Sequence, residues 1–240
     1  QDRAAPRRAD LTGLKVWPCA HRLLARLRSE VLPHVRAELA ARGATRPMRV
    51  LELGAGTGVL GMGVGALLEG DERVLLTDPA LDVTFAAPPS PNSAGGAGEA
   101  GEGREVGDTL TWLAANVDAN HAAIGGRAHV AKCLWGDADD AAAISANFGP
   151  VDLVLGSELL YDPDQYIPLL SALASFTADH TLAVLGFSHR HGGEKRFLAA
   201  AGKDFELSTK WHEAVDPAPR WAICQLRRRG ASMSFCDIGG

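Results

Sequence analysis

Glycines and acids at fixed spacing carry the first chemistry in this chain. Residues 50–58 read Val-Leu-Glu-Leu-Gly-Ala-Gly-Thr-Gly, and a second apolar run, Val74-Leu75-Leu76-Thr77, ends in Asp78 twenty residues after Gly58. A glycine turn lets backbone approach a ligand closely, and an acid at the next strand end can accept hydrogen bonds from ribose hydroxyls. The pair therefore points to a nucleoside at the edge of an open parallel sheet. Two later apolar runs end in Leu134-Trp135-Gly136-Asp137 and in Ser157-Glu158-Leu159-Leu160-Tyr161. In such sheets ligands bind at the carboxyl ends of the strands, so all these residues belong to one edge.

The elements that must position them alternate between two periods. Residues 18–42 carry apolar positions at helical spacing, with Pro33 as an expected break or new start, and residues 49–53 read as the first strand. A Gly-rich helix is expected over 59–68 and a second strand over 73–77. Residues 84–107 then hold six Gly, five Ala and three Pro without apolar periodicity, which reads as a flexible surface insertion. Asp108 is a plausible N-cap for a helix over 109–121. Strands over 128–135, 151–156 and 181–187 alternate with helices over 138–148, 166–178 and 194–201. Two alternating runs, 205–213 and 221–228, follow without an intervening helix. The expected fold is α/β: a Rossmann-like, doubly wound sheet of seven strands, closed by a C-terminal antiparallel hairpin and capped by an N-terminal helix. Residues 13–228 would form one domain, with tails at 1–12 and 229–240.

Which nucleoside is bound depends on where the turn begins. Gly56-Thr57-Gly58-Val59-Leu60-Gly61 matches the dinucleotide fingerprint G-x-G-x-x-G. The strand's apolar run stops at Leu53, however, so Gly54 is the first turn residue and Gly61 lies inside the helix. That register gives Glu52-Leu53-Gly54-Ala55-Gly56-Thr57-Gly58, which resembles the E-x-G-x-G-x-G form of S-adenosylmethionine-dependent methyltransferases. Glu52 would meet the cationic amino end of such a ligand, whereas it would repel a pyrophosphate.

With Gly13-Leu14-Lys15-Val16-Trp17-Pro18 upstream, the motifs together resemble methyltransferase family 16, a group of seven-strand enzymes whose characterised members mostly methylate lysines of other proteins. The resemblance implies that Trp17 covers the cofactor and that Gly54, Ala55 and Gly56 form the turn beside its methionine and ribose. Asp78 would hold the ribose hydroxyls, Trp135 and Asp137 would flank the adenine, and Ser157 would line the reacting centre. Glu158-Leu159-Leu160-Tyr161 stands where the family usually has Asp-x-x-Tyr. Glu158 keeps the charge on an arm one methylene longer, and with Tyr161 would orient the acceptor amine. The implied partner is a protein substrate, and no metal is implied.

Blander readings stand beside these. Trp17 and Trp135 could be core or rim aromatics, Tyr161 a cap on the sheet end, and Glu52 a solvated acid. Asn116 and Asn120 read as local capping or surface groups, His189-Arg190-His191 as a polar strand end, and Arg227-Arg228-Arg229 as a solvated one. The rival activities are a nucleic-acid or small-molecule methyltransferase and an NAD(P)-dependent oxidoreductase. A net charge of −5 offers no broad cationic field, so a nucleic-acid partner is not expected. With 240 residues, 46% of them hydrophobic, the chain can build a substantial core. No apolar run is long enough to span a bilayer. Four scattered cysteines suit a reducing compartment. We expect a cytoplasmic monomer, with nuclear presence and organelle targeting both left open.

Overall fold

A computed structural model describes residues 15–86, 104–189, 192–213, 220–231 and 234–238. The expected tail at 1–12 and the middle of the 84–107 stretch lie outside them.

Seven strands run through the centre: β1 (Arg49–Leu53), β2 (Arg73–Asp78), β5 (Ala128–Lys132), β6 (Leu153–Ser157), β7 (Leu182–Ser188), β8 (Phe205–His212) and β9 (Trp221–Arg228). Their spatial order is β5-β2-β1-β6-β7-β9-β8. Pairing is parallel from β5 through β7, while β9 runs antiparallel to both β7 and β8. β1 begins the outward winding in both directions, so its carboxyl end lies at the topological switch point, where this class of sheet opens a crevice.

The strands are apolar because both faces are covered. On one face lie α1 (Pro18–Arg26), α2 (Leu32–Ala41), α3 (Val59–Leu67), α4 (Thr109–Ala119) and the short α5 (His121–Ile124), burying Leu23, Leu27, Val64 and Leu113. On the other lie α6 (Ala138–Phe148), α7 (Tyr166–Phe176) and α8 (Gly193–Ala201), burying Leu169, Leu173 and Phe197.

Of the two roles expected of Pro33, the structure shows the new start: it lies in the first turn of α2, which a π-helical segment at Leu27–Val31 joins to α1. The wider turn gives the proline ring room where an α-helical carbonyl would clash. The flanks of the 84–107 stretch are strands, β3 (Asp82–Ala86) and β4 (Arg104–Asp108), paired antiparallel outside the main sheet. The Gly-, Ala- and Pro-rich sequence at 87–103 separates these short runs and obscured them.

Within the expected tail, residues 234–238 are docked, since Cys236 and Ile238 are buried in the helical face. Gln225 Oε1 accepts the Cys236 N–H at 2.8 Å, and Gln225 Nε2 donates to the Cys236 carbonyl at 2.7 Å. Arg227, read as solvated, is 1% exposed and donates to Glu38 of α2 at 2.8 Å. Arg228 donates to the Thr177 and Ala174 carbonyls at the end of α7. These arginines satisfy groups that only the tertiary fold brings near them. Among the described residues, no helix is long and apolar enough to cross a membrane.

Candidate active site

The glycine turn after β1 is held by the end of β2 and by α4. Gly54 and Gly56 have φ of +61° and +53°, and Gly58 caps α3 at +83°, all in the left-handed region that side chains resist. Ala55 N–H donates to the Thr77 carbonyl at 2.9 Å and Gly56 N–H to Asp78 Oδ2 at 2.9 Å, so the end of β2 holds the turn. Asn116 of α4 donates from Nδ2 to the Thr57 carbonyl at 3.0 Å. Asn116 was expected to serve local capping; its partner is the turn, 59 residues away in sequence.

Glu52 and Asp78 are the buried acids beside the turn, 2% and 6% exposed. Asp78 also accepts from Thr109 Oγ1 at 2.5 Å. Burial raises its pKa, and the bonds from Thr109 and Gly56 oppose that rise. Each bonded carboxylate oxygen keeps a second lone pair for a ribose hydroxyl. Glu52 lies against the first turn of α3, where a Cβ on Gly61 would come within 2.3 Å of its Oε2. Burial pushes its pKa up to about 8, with the Gly61 N–H lowering it and Asp78 raising it. It is not a solvated acid.

Three buried polar atoms on this edge have no hydrogen-bond partner among the described residues: Glu52 Oε2, Trp135 Nε1 and Ser157 Oγ. A buried polar group without a partner is costly, so unsatisfied atoms around a crevice indicate where ligand groups belong. Trp135 also approaches the turn: a Cβ on Gly54 would lie 2.9 Å from its ring and 2.8 Å from Leu159. Trp17 is the half-buried N-cap of α1, with Lys15 Nζ 4.7 Å from the ring centroid. Asp137 caps α6, its Oδ1 accepting from the Asp139 and Asp140 N–H groups at 3.0 Å each.

Beyond β6 the backbone turns sharply. Glu158 has φ +60°, a conformation rare for a side-chain-bearing residue, and its N–H donates to the Gly186 carbonyl at 2.8 Å. The side chain is 7% exposed and its carboxylate accepts from the N–H and the hydroxyl of Ser188. Tyr161 is 45% exposed. It borders a cleft of about 230 Å³, along with Leu160, Tyr166 and Glu194. Ser188 and Thr109 had no signal in the sequence, because they lie 30 and 31 residues along the chain from their partners. Among the described residues, no group of His, Cys, Asp and Glu is placed to hold a metal ion.

The sequence matches the profile of a family described as lysine methyltransferase over residues 7–85 and 105–204, well over half of the chain. The chain belongs to the lysine methyltransferase family. S-adenosylmethionine is the methyl donor of this methyltransferase, and the unsatisfied atoms at Glu52, Trp135 and Ser157 fit such a ligand. It is 28% identical to mouse protein N-lysine methyltransferase METTL21A over 187 residues, covering 77% of this chain and 68% of the relative. To the zebrafish protein of the same name it is 27% identical over 160 residues, 66% of this chain and 58% of that one. The methyltransferase thus spans little more than half of the zebrafish relative. In fold it is similar to a Bacillus cereus O-methyltransferase in complex with SAH, at TM-score 0.51 and 12% identity, covering 91% of this chain and 86% of that one. A predicted O-methyltransferase of Agrobacterium tumefaciens gives TM-score 0.52 at 19% identity, covering 84% and 83%.

Proposed function

We propose that this methyltransferase transfers methyl groups to the side-chain amine of a lysine in a protein substrate. The observation that carries this reading is Glu158, an acid held nearly buried on a left-handed turn at the carboxyl end of β6, adjoining the unsatisfied Ser157. Family membership and the two N-lysine methyltransferase relatives support the acceptor class.

S-adenosylmethionine supplies an electrophilic methyl group on a sulfonium. Its binding would fall to the turn at Gly54, Ala55 and Gly56, with Glu52 facing the donor's ammonium and Asp78 the ribose. Trp17, Trp135 and Asp137 would bound the nucleoside, and Ser157 would line the reacting centre. Displacement at a methyl group asks the protein mainly for alignment. A lysine amine, with an ordinary pKa of about 10.4, must also shed a proton before it attacks. Glu158 and Tyr161 would orient that amine, and the Glu158 carboxylate would accept the proton directly or through water. The acceptor would approach past Tyr161, along the cleft that Leu160 and Tyr166 wall. The four free, buried cysteines support a reducing, cytoplasmic setting, and a monomer acting on another protein is the form we assign.

Calorimetric titration separates this reading from an oxidoreductase. S-adenosylmethionine and its demethylated product should bind and NAD(H) should not; NAD(H) binding in their place would overturn it.

A further inference from the structure

We infer that Ser188 is a positioning residue, which straps the carboxylate of Glu158 in the orientation that methyl transfer needs. The inference deepens the proposed function and rests on it.

Glu158 has three side-chain torsions between backbone and carboxylate, and a free glutamate would spread its charge over many positions. Here both carboxylate oxygens are engaged by one residue. Ser188 N–H donates to Oε2 at 3.3 Å, and Ser188 Oγ–H donates to Oε1. Ser188 ends β7, whose register places it beside Trp221 of β9, so a central strand of the sheet fixes the donor pair. The same strand holds the backbone of Glu158, through the bond from its N–H to the Gly186 carbonyl. β7 thus grips the acid at both ends, two residues apart. A shorter acid at position 158 would fall one methylene short of Ser188, so the strap belongs to glutamate at this site. Hydrogen bonds to a carboxylate are the stronger kind, so the two from Ser188 fix its orientation firmly.

The strap can be observed without any methyl acceptor. In amide NMR spectra of the full chain, the Ser188 N–H proton should resonate downfield and move upfield in Glu158→Gln. An unchanged Ser188 amide would overturn the strap. Its catalytic role is read from initial rates with radiolabelled S-adenosylmethionine and host-extract protein. Ser188→Ala should lower the maximal rate by roughly 10- to 100-fold with the donor KM unchanged, as expected for a misplaced catalytic group. Ser188→Thr, which keeps the hydroxyl and the N–H, should restore most of the rate. In a Glu158→Asp background Ser188→Ala should cost little more, because the shortened acid no longer reaches Ser188. A full Ser188→Ala penalty in that background, or wild-type turnover in Ser188→Ala, would overturn the positioning role. An extract left unlabelled by the wild type would instead count against the lysine-acceptor reading, and the NMR comparison would still decide the strap.

Discussion

Glu158 and Glu52 are both buried acids, yet their surroundings differ in kind. Glu158 is met by two donors from Ser188, while Glu52 keeps an unsatisfied oxygen. Replacing Glu158 by Ala should lower turnover at least about 100-fold while donor affinity, read by calorimetry, stays within roughly two-fold. Glu52 should report instead on pH and donor binding. Its value of about 8 lies above the ordinary 4.5, so between those limits the folded chain holds a proton that the unfolded chain has released. This contribution to stability is complete below pH 4.5 and is lost as pH rises toward 8. Glu52→Gln, scanned by thermal unfolding without donor, should flatten that decline by on the order of 2–4 kcal/mol. It should also weaken donor binding. Parallel pH profiles for the two proteins would contradict the assignment of Glu52 as a buried, donor-facing acid.

At the level of elements, the turn and α3 work as one unit. Gly61 sits on the face of α3 that meets the sheet, and a Cβ there would lie 2.3 Å from Glu52 Oε2 and 2.5 Å from Leu76 Cγ. Gly61→Ala gains helix propensity but must displace both neighbours, so we expect a net loss of about 1–3 kcal/mol in denaturant unfolding. Its donor affinity should fall as well, because Glu52 shifts.

The strand-end motifs were readable from sequence for a physical reason. A buried parallel strand must be apolar until it leaves the core, so Leu53 to Gly54 and Gly156 to Ser157 mark where the sheet ends and the site begins. Asp108 capping α4 through the Thr111 N–H at 2.7 Å was legible in the same way, from local chemistry. Ser188, Thr109 and the turn-holding role of Asn116 were not, since each depends on a partner brought close only by sheet order. The β3–β4 ribbon escaped because its two five-residue strands are separated by the Gly-, Ala- and Pro-rich sequence at 87–103, so neither run stood out.

At the scale of the molecule, β9 and residues 234–238 are tied to the N-terminal helices on one face of the sheet. Arg227 of β9 reaches Glu38 of α2, 189 residues earlier, and Gln225 clasps Cys236. Breaking a buried ion pair by removing one partner leaves the other without compensation. Arg227→Ala should therefore cost about 3–5 kcal/mol in denaturant unfolding, with donor affinity in the folded protein unchanged. Ending the chain at Ala231 removes the buried Cys236 and Ile238 and should lower the melting temperature by several degrees. An unaltered melting temperature would show that the tail contributes nothing to the core.

Lysine methylation by this protein is decided by one product. The protein, incubated with radiolabelled S-adenosylmethionine and host extract, should label a discrete protein band that survives ribonuclease, and mass spectrometry should place the methyl group on a lysine. Glu158→Ala should leave that band unlabelled. A ribonuclease-sensitive label, or a methyl group on any other side chain, would contradict the account.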